Sequence, residues 1–343
     1  MNRRLVRTGS ALIALSVAIL FLFLWEDEPK LSYYQNQGKI FGTTYSIQYE
    51  AKEDLEDSIK AELQAFDNSL SMFNPHSTLS AINDNRDTTT DALFEQMYAE
   101  ATRVYELSEG AFDITVAPLV NFWGFGRKEK ANPDTTAKNK EIDSLLQFVG
   151  FDKVQLIDHR IVKADPRIQL DGGAVAKGQA CDVIAALLKR NGSENYLVEI
   201  GGEIVCKGYN KKGNKWHIGI TKPEEQSATD GQQSELQEII EVSNICMATS
   251  GNYRNFYYDG DVKRSHTIDP RVGYPVQHSL LSATIVSSSC MRADALATAC
   301  MVVGAEKGLE MIAQAGDAAA YFIIAKGDSS VIITSPNWEE MLQ

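Results

Sequence analysis

The chain has 343 residues, 44% of them hydrophobic, with 9 prolines and no low-complexity tract, so it can bury a large core as one domain or two. That composition excludes a disordered chain, a collagen and a polytopic membrane protein. Its 46 acidic against 33 basic residues give a net charge of −13, which opposes the phosphate neutralisation on which duplex nucleic-acid binding runs.

Residues 1–29 read as an export signal or membrane anchor. Arg3, Arg4 and Arg7 precede an apolar stretch from Ala11 to Trp25, and Glu26, Asp27 and Glu28 stop it. Basic flank, apolar run and acidic exit is the order that leaves the arginines in the cytoplasm and the body outside. The run is 15 residues long, short of the ~20 of a full span, and matches a signal-peptide core. No small-x-small cleavage site precedes Trp25, so a retained anchor is preferred over cleavage. The expected location is the periplasmic face of the inner membrane.

From residue 30 to 343 the pattern is globular. Alternation over Phe41–Tyr49 predicts a strand, and the apolar spacing predicts helices over Asp54–Asn68, Asp91–Glu109, Ile142–Phe148 and Ala176–Arg190. The second half predicts strands over Tyr196–Cys206, Trp216–Thr221, Glu238–Met247 and Ser282–Ser288. Helices follow over Ala293–Val303 and Ala305–Ala315, and Ala319–Ala325 and Val331–Thr334 close as a hairpin. Glu224–Ser234 is polar and reads as a loop. Strands and helices mix without strict βαβ alternation, which predicts an α+β fold of mixed sheets with packed helices. The five cysteines form no CxxC pair and are odd in number, so they read as reduced, buried small hydrophobes rather than a disulfide frame or zinc site.

Three motifs can carry chemistry. In Leu170-Asp-Gly-Gly-Ala-Val-Ala-Lys-Gly178 an apolar strand end leads through glycines into a helix, whose N-terminal N–H groups and Lys177 suit a phosphate. The alternative is a tight turn with a solvated lysine. In Arg292-Ala-Asp-Ala-Leu-Ala-Thr298, Asp294 and Thr298 share a helix face and offer hard oxygens suited to Mg²⁺, or Asp294 simply caps the helix. In Ser265-His-Thr-Ile-Asp-Pro270, His266 and Asp269 can pair as a proton acceptor, or Asp269 can cap its own turn. Phe73, Phe112 and Asp113 lie in turns where an aromatic ring could stack a flat ligand, while Phe122 and Trp123 read as core. His76, His159, His217 and His278 have no comparable setting.

Taken in order, the blocks FGTTYSI, LSMFNPHSTLSAIN, GAFDITVAPLVNFWGFG, LDGGAVAKGQACD, VEIGGEI, ATSGNYRNFY, RSHTIDPRVGYPVQH and RADALATA resemble one family, the ApbE-type FAD:protein FMN transferases. The resemblance implies an α+β fold with an FAD cleft between sub-domains. It also implies Mg²⁺ dependence and transfer of FMN from FAD to a threonine hydroxyl of another exported or membrane protein, typically a subunit of a membrane redox complex, with release of AMP. By position it implies metal binding by the Ala174 carbonyl, Asp294 and Thr298. FAD contacts are implied at Phe41, Phe73, Ala111, Phe112, Asp113, Asp171, Lys177 and Ile268, and proton transfer at His266, with Asp294 as its catalytic companion. Phe41 stands where related sequences often carry methionine, and Phe73 where tyrosine or tryptophan is frequent. Glu199 and Glu203 replace an Asn and an Asp around the Gly-Gly pair and receive no role. Two competing functions remain open: an Mg²⁺-dependent FAD pyrophosphatase giving FMN and AMP, and a flavin-binding protein without turnover.

Overall fold

The structure, a computed structural model, describes residues 30–126, 135–223, 235–253, 255–327 and 329–343. The segment 1–29, read as signal or anchor, and the loop expected over Glu224–Ser234 lie outside the described residues. Among the described residues no helix is long and apolar enough to cross a membrane.

The frame is one eight-stranded sheet. Its strands are β1 (Ser32–Ile40), β2 (Thr43–Ala51), β3 (Tyr196–Ile200), β4 (Glu203–Lys207), β5 (Ile245–Gly251), β6 (Leu280–Ser287), β7 (Ala318–Lys326) and β8 (Ser329–Thr334). They lie side by side in chain order and every neighbouring pair is antiparallel. Alternation along β7 shows how the sheet separates two cores: Ala318, Ala320 and Phe322 join one, Ala319, Tyr321 and Ile323 the other.

Helices cover the first face. They are α1 (Glu56–Leu70), α2 (Ala92–Leu107), α3 (Ala176–Arg190), α4 (Cys290–Val303) and α5 (Ala305–Ala315). Asp91 caps α2 by accepting from Phe94 N, and Ser289 caps α4 by accepting from Arg292 N. Helix α4 is apolar nearly all round, so it runs through the middle of the core, packed on α3, β5 and β6. The second face is covered by a hairpin of Trp216–Thr221 and Leu236–Val242, packed with Trp338. A third, smaller core gathers Leu119, Phe122, Trp123, Ile142, Val149 and Ile268.

Several expectations need correction. The single strand expected over Tyr196–Cys206 is a hairpin, because Gly201 and Gly202 take φ of 66° and 103° and turn the chain. The strand expected over Glu238–Met247 breaks at Asn244, φ 59°, where the chain leaves the covering hairpin for the main sheet. Ile168–Leu170 is not a strand end. It is extended chain tied to Asn83, whose amide accepts from Leu170 N at 2.7 Å and donates to Leu170 O at 2.8 Å. All five cysteines are free, and four of them are buried.

Candidate active site

A cavity of about 740 Å³ opens where the main core meets the small third core. It is within the size range of small-molecule sites. Phe41, Phe73, Ala111, Phe112, Asp113, Asp171, Ala174, Lys177, His266, Ile268, Asp294 and Thr298 all line it.

Two helices build its polar end. The turn before α3 is closed by Asp171, whose Oδ1 accepts from Gly173 N at 2.7 Å, while Ala176 N donates to Gly172 O at 2.9 Å. The N-cap residue Val175 gives α3 no side-chain cap, and in its first turn Gly178 N is taken instead by a side chain of α4. Gly178 N donates to Asp294 Oδ2 at 3.1 Å, and Asp182 returns the contact by accepting from Cys290 N and Met291 N at 2.9 Å each. Burial raises the Asp182 carboxyl to about 6, against the pull of those two N–H donors. Asp294 therefore does not cap its own helix; it accepts from the first turn of α3. Ser289 has that place, and Asp294 is 2% exposed at the α3–α4 contact.

Lys177 is not a solvated lysine. Its Nζ lies 2.9 Å from Glu203 Oε1 and 3.6 Å from Asp294 Oδ2. Burial works against the ammonium, but the charges of Asp294 and Glu203 outweigh it and hold Lys177 above its ordinary value. Burial in turn pushes the Glu203 carboxyl up, and the charge of Asp294 adds to this. Thr298 Oγ1 lies 3.2 Å from Ser250 Oγ on β5.

This polar end fits a hard divalent cation. The expected donors, the Asp294 carboxylate, the Thr298 hydroxyl and the Ala174 backbone carbonyl, are all oxygens and belong to residues that line the cavity. Two carboxylates face one ammonium there. Among the described residues no three His, Cys, Asp or Glu side chains converge as a metal cluster, and the expected donor set contains a single carboxylate.

The close approach of α3 to α4 depends on Gly178. A Cβ there would sit 2.3 Å from Cys290 O, and backbone cannot swing aside. Gly178→Ala is expected to cost about 3 kcal/mol, at the upper end of typical overpacking, and to lower the melting temperature by on the order of 5 °C. Differential scanning fluorimetry checks this, and an unchanged melting temperature would contradict the packing described.

The apolar end is aromatic. Phe73 is 66% exposed at the rim. Phe41 and Gly42 both have positive φ, 52° and 74°, as a two-residue I′ hairpin requires between β1 and β2. Glycine adopts that region freely and a bulky aromatic rarely does, so Phe41 carries backbone strain where its ring meets the cavity, 5.3 Å from Phe66. Asp113 lines the cavity, but its carboxylate is engaged elsewhere. Oδ1 accepts from Thr115 N and Thr115 Oγ1, both at 2.7 Å, and Oδ2 from Phe151 N at 3.0 Å.

The suggested His266–Asp269 pair does not form. Asp269 binds Arg271 through its backbone N and both guanidinium arms, closing its own turn. His266 Nδ1 instead lies 3.1 Å from Asn255 O. A carbonyl can only accept, so Nδ1 carries the proton and Nε2 is the free base of the neutral ring. Burial lowers the His266 pKa, and the charge of Lys177 lowers it further. Trp123, read as core, is buried and donates from Nε1 to Gly273 O at 2.8 Å.

Sequence reasoning missed Glu203, Asp182 and Asn255. Asp182 had a readable signal, since it lies one turn beyond Gly178 on the same helix. Glu203 had none, because its partner Lys177 is distant in the chain, and Asn255 meets His266 only across the short hairpin that pairs Phe256 with Ser265.

An antiparallel sheet with a buried carboxylate–ammonium pair beside a glycine turn, and an aromatic rim facing them, defines a site for an anionic, ring-bearing ligand. The model of the ApbE family matches residues 41–322. The chain is 36% identical to the FAD:protein FMN transferase of Vibrio cholerae serotype O1 over 89% of its own length and 91% of that protein's. It is 33% identical to the FAD:protein FMN transferase of Haemophilus influenzae, covering 97% and 98% of the two chains. A solved structure of the flavin transferase ApbE from Vibrio cholerae superposes with a TM-score of 0.79 at 34% identity, over 91% of this chain and 99% of that one. The chain belongs to the ApbE family.

Proposed function

We propose that the chain is an FAD:protein FMN transferase, moving FMN from FAD to a threonine hydroxyl of an acceptor protein and releasing AMP. The observation that carries this reading is the meeting of Lys177, Glu203 and Asp294 at the start of α3, inside the cavity whose rim is aromatic. The names of its relatives in the ApbE family support it.

In this reading the first turn of α3 and Lys177 bind the diphosphate, and Phe41 and Phe73 stack the flat rings. Asp294, Thr298 and the Ala174 carbonyl would hold Mg²⁺, which would supply charge neutralisation to the phosphates. His266 Nε2 takes the proton from the threonine oxygen as that oxygen attacks the FMN phosphorus. The phosphoanhydride bond to AMP breaks and a phosphoester forms, so FAD and protein-Thr become protein-Thr-FMN and AMP.

The order of charges in residues 1–29 supports export, with the acceptor then a subunit of a membrane redox complex on the same face. Incubating the purified chain with FAD, Mg²⁺ and a candidate acceptor tests the activity. In-gel flavin fluorescence on the acceptor is expected; AMP release without any labelled acceptor would favour the pyrophosphatase, and tight FAD binding without turnover the simple binder. Phe73→Ala should raise the FAD dissociation constant about fivefold, the worth of ~1 kcal/mol of ring stacking. Its melting temperature should not move, because the ring is exposed. Quenching of flavin fluorescence measures the change.

A further inference from the structure

Lys177 has two anionic partners at unequal distance, Glu203 at 2.9 Å and Asp294 at 3.6 Å. Glu203 is 3% exposed, and its Oε2 is buried without a hydrogen-bond partner. The ammonium on Oε1 is thus what compensates this carboxylate. The anchor is rigid. Glu203 opens β4 directly after the Gly201–Gly202 turn, in register with Ile200, and its carbonyl accepts from Cys181 Sγ at 3.3 Å. The turn also packs on the lysine stem, since a Cβ at Gly201 would stand 3.3 Å from Lys177 Cδ.

We propose that Glu203 is a positioning residue for the metal site: by holding Lys177 at 2.9 Å it keeps the ammonium from closing further than 3.6 Å on Asp294 and leaves that carboxylate to a divalent cation. This rests on the reading of Asp294 as a metal ligand. An ammonium and a divalent cation on one carboxylate repel each other and compete for the same oxygens. Without the charge of Glu203, Lys177 has Asp294 as its remaining anionic partner. It closes on Asp294, and an incoming cation must first displace it. Groups that orient ligands from behind commonly change metal affinity 10–100-fold when lost.

The test is a titration of the full-length protein with Mn²⁺ in the absence of FAD, following free Mn²⁺ by electron paramagnetic resonance. Glu203→Gln is expected to weaken Mn²⁺ binding about tenfold or more. Lys177→Met, which removes the competitor, should bind Mn²⁺ at least as tightly as wild type. The double variant should return to within about threefold of wild type, a recovery that a merely structural role for Glu203 would not give. Wild-type affinity in Glu203→Gln, a loss that persists in the double variant, or weakened binding in Lys177→Met would each overturn the proposal. Thermal unfolding of every variant identifies a misfolded one, and Lys177→Met decides alone if Glu203→Gln does not fold. Asp294→Asn is the control for the underlying reading: if it binds Mn²⁺ like wild type, the metal assignment fails and the proposal with it.

Discussion

Asp294→Asn is expected to lower FMN transfer about a thousandfold while leaving the fold in place. The amide oxygen can still accept from Gly178 N, so the α3–α4 contact survives, and Lys177 keeps Glu203 as its partner. The variant loses the one side-chain anion of the proposed metal site. Metal stabilisation of phosphoryl charge is worth several kcal/mol, and each 1.4 kcal/mol or so is a factor of ten in rate. The rate should be measured at saturating FAD over a range of Mg²⁺ concentrations, beside a melting curve. Transfer within tenfold of wild type at all Mg²⁺ concentrations would remove Asp294 from the chemistry.

His266→Ala is expected to cut transfer by about 10²–10⁴, the usual worth of a positioned base. The pH profile is the sharper half of the prediction. The neutral ring is the competent form, and burial, then the charge of Lys177, lowers its pKa below the ordinary 6.5. The base therefore stays free through neutral pH and is lost only as pH falls through the depressed value. The acid limb of kcat/KM for wild type should have its midpoint below pH 6.5, and it should vanish in His266→Ala. A midpoint above the ordinary histidine value, or an acid limb retained in the variant, would assign proton transfer to another group.

Much of the fold was legible because its signals are local. The amphipathic spacing of α2, the cap at Asp91 and the closing hairpin of β7 and β8 are all written within a few residues. Strand β1 was not, since its exposed edge residues are mostly polar and carry no apolar alternation. The turn at Gly201–Gly202 did carry a local signal, a Gly-Gly pair between two apolar runs, whereas the break at Asn244 shows only in its positive φ. The residues expected at the site do share one cavity. Their roles were less legible, because roles depend on partners brought in from elsewhere in the chain. The Asp113 carboxylate is taken by Phe151, Asp269 by Arg271 rather than His266, and Lys177 by a glutamate that showed no purpose in the sequence.

In the proposed reaction this cavity joins FMN from FAD to a hydroxyl of another protein. Intact-mass spectrometry of the acceptor after incubation with the chain, FAD and Mg²⁺ tests it most directly, with AMP quantified in the same mixture. The expected acceptor is heavier by one FMN less one water, a gain lost when its threonine is changed to valine, with one AMP per modified chain. Free FMN and AMP in equal amounts beside an acceptor of unchanged mass would contradict it.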